Sequence, residues 1–230
     1  MASDVSRVNI GGQWQHGPVT DPAERPYHHG NLKPALIEAA VVRARAGGPE
    51  AVSLRDVAHD VGVSPSAAYR HVRDRDHLMT LVSQVARQEL ARTMIDGTDA
   101  VKPSGDPATD AIARFGACGR GYLDFATGSP QLFRTAFLST GCAPDTADHP
   151  DAALVLVTGI DGLVEAGLVD PVRRMDAALI AWTAVHGLSS LLVDDMVTLG
   201  LGVTPDQARR AVLDSVLRAV VNPEVTLPTA

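Results

Sequence analysis

The sequence is poor in the residues that cross-link or metallate a fold. It has two cysteines, Cys118 and Cys142, 24 positions apart, and no Cys-x-x-Cys, so neither a disulfide scaffold nor a structural zinc site is indicated. That thiol usage fits a reducing cytoplasm. The first thirty residues contain no apolar run behind a basic start, so no signal peptide is read there. The longest stretch free of Lys, Arg, Asp and Glu, Ala177 to Val193, is shorter than the ~18–20 apolar residues that a bilayer requires and contains Thr, His, Gly and Ser. It reads as a buried helix, and no membrane partner is expected. Gly-x-x-x-x-Gly-Lys, Gly-x-Ser-x-Gly and His-Glu-x-x-His are all missing, and neither cysteine has a catalytic partner close in sequence. No alternating strand pattern and no fixed-period repeat is visible.

What is present is a chain of 230 residues that is 45% hydrophobic and carries a net charge of −7. This is one large domain or two small ones with a real core. An acidic chain does not coat nucleic acid indiscriminately. The charge is unevenly spread, however: residues 1–27 carry −1, residues 28–92 carry +2 and residues 93–230 carry −8. The only net-positive segment also holds five of the eight histidines.

Residues 1–30 are rich in Gly and Pro and read as a flexible arm. From Asn31, Leu32, Leu36, Ala39 and Ala40 form one helical stripe that ends at Gly47-Gly48-Pro49. A second, shorter helix carries Leu54, Val57, Ala58 and Val61, with Ser53 as N-cap and Gly62 as stop. Ser64-Pro65 opens a third helix, expected through about His71. A fourth carries Leu78, Leu81, Val82, Val85 and Leu90, and the Gly- and Pro-containing segment 96–107 marks a boundary. Beyond it, Asp106-Pro107, Ser129-Pro130, Asp170-Pro171 and Thr204-Pro205 predict helices near 107–127, 130–138, 171–199 and 205–221, with one more after Pro150. The expected class is all-α with about nine helices, divided into an arm (1–30), an N-terminal unit (31–95) and a C-terminal unit (107–222).

The pair of short helices around Gly62-Val63 has small or β-branched interior positions, which lets the helices cross closely. Its outward positions, Ser64, Ser66, Ala67, Tyr69 and Arg70, mix short hydrogen-bonding groups with one cation. That mixture suits an approach to base edges in a major groove about 12 Å wide. Tyr27-His28-His29-Gly30-Asn31-Leu32, Ser53-Leu54-Arg55-Asp56-Val57-Ala58, Gly62 through Val72, then Arg75 and Leu78, together resemble the N-terminal domain of TetR/AcrR-type regulators over about 65 residues. Trp182-x-x-x-His186-Gly187 is similar to the signature of one C-terminal subgroup of that family.

The resemblance implies a homodimer on a palindromic double-stranded DNA operator, with a small-molecule effector pocket in each C-terminal unit. Its most frequent regulatory sign is repression relieved by the effector. The DNA-binding set it implies is Ser53, Arg55, Ser64, Pro65, Ser66, Ala67, Tyr69, Arg70, His71 and Arg75. Arginine at position 55 matches guanine O6 and N7, and Tyr69, His71 and Arg75 occupy positions that usually contact phosphate. Tyr69 read alone is either core or contact, and His71 either contact or an interhelical group. Val72 stands where the family often has phenylalanine, and Arg75 where lysine is more usual. His28-His29 finds no further ligand nearby, so neither metal nor cofactor is expected.

In the C-terminal unit, Met175, Leu179, Trp182 and His186 share a helical face. Phe115, Cys118, Tyr122 and Phe125 share another, and Phe133 and Phe137 add a third. These ten are the candidate ligand-binding residues, of the mainly apolar kind that lines small-molecule pockets, although each also fits plain core. Ala208, Ala211, Val212, Ser215 and Ala219 suit close packing in a four-helix dimer interface. The competing class is an all-helical enzyme or a small-molecule-binding protein without DNA function. A redox response through the cysteines is a further alternative.

Overall fold

Helix starts are written locally in this chain, because a side-chain oxygen just before a helix accepts one of its unpaired N–H groups, and a proline in the first turn loses nothing by lacking one. The computed structural model describes residues 32–138 and 151–222. Within them lie ten α-helices and no strand: α1 (Leu32–Gly47), α2 (Leu54–Val61), α3 (Pro65–Ala68), α4 (Arg75–Asp99), α5 (Pro107–Gly128), α6 (Pro130–Ala136), α7 (Ala152–Glu165), α8 (Arg174–Val193), α9 (Met196–Leu201) and α10 (Pro205–Val220). The arm, the Tyr27–Asn31 stretch with His28-His29, and Cys142 lie outside the described residues.

The expected caps are largely in place. Ser53 Oγ accepts from the Asp56 N–H at 3.1 Å, Ser64 Oγ from Ala67 at 3.2 Å, and the Asp106 carboxylate from Thr109 at 2.9 Å. Thr204 and Gln207 form a reciprocal capping box. Ser129 is the exception: it makes no side-chain cap and instead accepts from Arg45 Nη1 at 3.1 Å.

Three boundaries differ from expectation. The helix read over 171–199 is a 3-10 turn at Pro171–Arg173, then α8, then α9. The break falls at Asp194-Asp195, where Asp195 adopts φ 55°, a left-handed conformation that aspartate tolerates better than most residues. Apolar periodicity runs across the break and conceals it. α3 ends at Ala68, because Arg70 and His71 donate to carbonyls three residues back and tighten the last turn. α4 continues through Gly97 to Asp99.

Gly97 persists inside a helix because it is part of a close crossing. A Cβ on Gly97 would stand 3.2 Å from the Ala117 carbonyl oxygen of α5, and one on Gly121 of α5 would stand 2.8 Å from the Thr93 carbonyl oxygen and 2.9 Å from Met94 Cα of α4. The two helices thus touch backbone to backbone. One buried core runs from Leu36, Val57 and Val72 through Leu78 and Leu90 into Leu123, Leu132 and Phe133. A second, around Ile160, Leu163, Ala181 and Val216, joins α5, α7, α8 and α10. Residues 171–193 are the one described segment long and apolar enough to cross a bilayer, and a third of its most apolar 18-residue stretch lies inside the protein.

Candidate nucleic-acid interface and ligand cavity

Gly62 takes φ 76°, which caps α2 and turns the chain toward Ser64 with little strain for a residue lacking Cβ. Val57, Ala58, Ala68 and Val72 are buried beneath the pair, so Val72 is a core plug. Arg43 of α1 holds Asp60 of α2 through two hydrogen bonds, at 2.5 and 2.9 Å. On this support Arg55, Pro65, Ser66, Tyr69, Arg70 and His71 are exposed, and Ala67 is half-buried. Tyr69 is 56% exposed, which resolves the choice between core and surface. The chain presents these side chains together on one short turn-and-helix segment.

Three of the sequence-predicted contacts have other work. Ser53 and Ser64 use their hydroxyls as caps. Arg75 donates from Nε to the Val52 carbonyl at 3.0 Å and from Nη2 to the Pro49 carbonyl at 2.7 Å, tying α4 to the turn before α2. Arg75→Ala should therefore cost about 1–3 kcal/mol, since two carbonyls lose a charged donor. Arg75→Lys, which keeps the charge but not the two-donor fork, should also lower the melting temperature. An unchanged Tm in both would return Arg75 to a purely surface role. Burial holds the His77 pKa down, and the positive charges of exposed Arg73 and Lys33 add to it. Lys33 lies only one residue into α1, and local pattern gives no hint that it comes near α4.

The ten candidate ligand-binding residues divide into groups. Phe115, Cys118, Tyr122 and Trp182 line a cavity of about 200 Å³ between α5, α7, α8 and α10, closed on one side by Met94 of α4. His186, Phe133 and Phe137 form an aromatic cluster with Tyr122, the ring centres 4.7 to 6.4 Å apart. A hydrogen bond of 2.8 Å joins the Tyr122 hydroxyl to His186 Nδ1. Phe125 is core. Met175 and Leu179 are 60% and 65% exposed, so the face read as pocket points outward at that end of α8, and Ala178, Ala181 and Val185 point inward instead. Gly187 also marks no close approach within the chain, because a Cβ there would meet nothing within 4 Å.

Three buried or half-buried ionisable groups at or beside the cavity, Cys118, Tyr122 and His186, are held neutral. Burial pushes the Cys118 thiol up to about 12 and raises the Tyr122 hydroxyl well above its ordinary value. Burial likewise lowers the His186 pKa. A lowered histidine pKa means that the unfolded chain takes up a proton that folded His186 resists. Its contribution to stability is complete above the unfolded value near 6.5 and is lost as pH falls through and below it. Thermal melts should therefore show a falling Tm from pH 7.5 to 5.5, with a shallower slope in His186→Gln. Part of the slope will remain, because His77 shifts in the same direction.

Among the described residues no group of three His, Cys, Asp or Glu side chains is arranged to hold a metal. Residues 115–219 match the family described as tetracyclin repressor-like, C-terminal domain. No curated protein sequence matches the chain. A solved structure of a protein of unknown function from Rhodococcus sp. RHA1 is 25% identical, with a TM-score of 0.67 over 86% of this chain and 100% of its own. A TetR family transcription regulator from Marinobacter aquaeolei VT8 is 18% identical, with a TM-score of 0.59 over 83% of this chain and 95% of that one. A putative TetR family transcriptional regulator from Vibrio parahaemolyticus is 17% identical, with a TM-score of 0.58 over 82% and 98%. The chain shares their all-α fold.

Proposed function

We propose that this protein is a DNA-binding transcription regulator of the TetR type, not an enzyme, in which residues 31–95 read an operator and residues 107–222 bind an effector and dimerise. The observation that carries this reading is the exposed group Arg55, Ser66, Tyr69, Arg70 and His71 on a capped helix-turn-helix whose other face is fully packed. The match of residues 115–219 to a tetracyclin repressor-like C-terminal domain supports it from the other end of the chain. Trp182 and His186-Gly187 mark the subgroup, Trp182 lining the cavity and His186 bonded to Tyr122.

The dimer reading rests on α8 and α10. Val172, Met175, Leu179 and Leu191 are exposed apolar side chains, and Ala211, Ser215 and Ala219 are exposed small ones. An apolar face of that extent beside small residues suits a self-complementary interface. The cavity touches α4, which follows the helix-turn-helix, and both α8 and α10. An occupant would act on the spacing of two recognition helices by favouring one dimer geometry over another, so the expected outcome of binding is release of a palindromic operator. Repression relieved by that release is the regulatory sign proposed.

A fluorescence anisotropy titration with duplex DNA from upstream of the protein's own gene tests the reading. Binding should weaken steeply with salt, with a log–log slope of about −4 or steeper for a dimer with two or more phosphate contacts per protomer. Absent binding, or binding indifferent to salt, would overturn it.

A further inference from the structure

The cavity is small, and its shape is set by what its walls lack. Ala181 on α8 leaves space that a larger side chain would fill, whereas a Cβ on Gly116 of α5 would stand 3.1 Å from Arg120 Nη1. Leu213 of α10 already lies so close to Gly119 that a Cβ there would stand 2.7 Å from Leu213 Cδ2. The volume of about 200 Å³ is of the order of an apolar cavity that accepts a single benzene ring. A fused multi-ring or long-chain molecule exceeds that volume.

The chemistry of the walls is as restrictive as the volume. Phe115, Leu156, Val185 and Leu217 are apolar, Cys118 and Trp182 are uncharged, and the Tyr122 hydroxyl is already bonded to His186. The charged lining residues, Arg120 and Asp214, are exposed and opposite in sign, with the Arg120 guanidinium lying against Gly116 at the rim. An ion drawn into such a site loses its hydration and finds no buried counter-charge.

We propose that this cavity selects an uncharged, single-ring or equally compact apolar ligand carrying at most one neutral hydrogen-bonding substituent. The assignment rests on the reading of the cavity as the effector site, and it names the ligand class that reading leaves open. Size excludes large drugs, and the neutral interior excludes carboxylates and ammonium ions of the same shape.

The test is a ligand-observed NMR titration of the full chain, without DNA, with benzyl alcohol, benzoate and benzylammonium as near-isosteric neutral, anionic and cationic probes, and with biphenyl-4-methanol as an oversized neutral one. Benzyl alcohol is expected to bind with a dissociation constant on the order of 1 mM or tighter, and each ion at least about 10-fold more weakly. Ala181→Leu should abolish binding by filling the space, and Ala113→Leu, at a half-buried lining position, provides a second filling variant that strains the core less. Benzoate or benzylammonium binding as well as the alcohol would overturn the proposal. So would a biphenyl probe that binds more tightly, or benzyl alcohol binding that survives in both variants. Operator release is measured separately by anisotropy. A charged ligand that releases DNA while benzyl alcohol does not bind would overturn the ligand class and leave the regulator reading standing. Benzyl alcohol binding to a chain that never engages DNA would do the reverse.

Discussion

Replacing Gly121 by alanine is expected to lower the melting temperature by roughly 4–12 °C, although alanine is the better helix former. In an open helix interior the same change would stabilise by about 0.5–1 kcal/mol, so a fall in Tm requires a clash larger than that gain. The clash is identifiable: the new methyl would stand 2.8 Å from the Thr93 carbonyl oxygen and 2.9 Å from Met94 Cα. Both are backbone atoms of α4 and cannot rotate away. Relief must come from separating α4 from α5, which also loosens the wall of the cavity at Met94. Gly97→Ala, facing the Ala117 carbonyl oxygen at 3.2 Å, should cost less. Gly162→Ala in α7, where a Cβ meets nothing within 4 Å, should be neutral or stabilising. Calorimetry of the three variants decides the matter, and an unchanged or raised Tm for Gly121→Ala would refute the backbone contact.

The second large effect is on DNA. Arg55→Ala should reduce affinity for the preferred operator by about 10- to 100-fold, the worth of one bidentate arginine–guanine pair, and flatten the discrimination between sequences. Tyr69→Ala should weaken all sequences alike. Both side chains are exposed, so neither variant should move Tm by more than about 1–2 °C. Val72→Ala is the contrasting case: buried beneath the same segment, it should lower stability first and DNA binding only as a consequence. Anisotropy and melting curves on the same samples separate a contact residue from a supporting one. An Arg55→Ala protein that binds its operator as tightly as the parent would remove that residue from the interface.

The helix-turn-helix was legible because its signals are local. Ser53, Gly62 and Ser64-Pro65 each act on backbone groups within four residues, so chain order alone states what they do. The same holds for the starts of α5 and α10. The candidate cavity was half legible: Phe115, Cys118 and Tyr122 were found because a spacing of three and four residues on α5 leaves them one inward face. Leu156, Leu213 and Leu217 were not found, because nothing in their own segments distinguishes a side chain that lines a void from one that fills it.

Amino-acid order by itself determined an all-α chain, the place of the two short helices around Gly62-Val63, and a basic head on an acidic body, since capping, periodicity and charge all act over short range. Three decisions belonged to the tertiary structure. Between Ala177 and Val193 no charged residue marks a wet face, so periodicity could not choose which side of α8 is inside, and packing against α5 and α10 turned Ala181 and Val185 inward and Leu179 outward. Gly97 reads as a helix breaker until a neighbouring backbone lies 3.2 Å from where its Cβ would be. Arg75 shows no structural role in the sequence, and gains one only when the carbonyls of Pro49 and Val52, more than twenty residues earlier, come within hydrogen-bonding distance. In each case the deciding atom belongs to a distant part of the chain, and only the packing of helices brings it within reach.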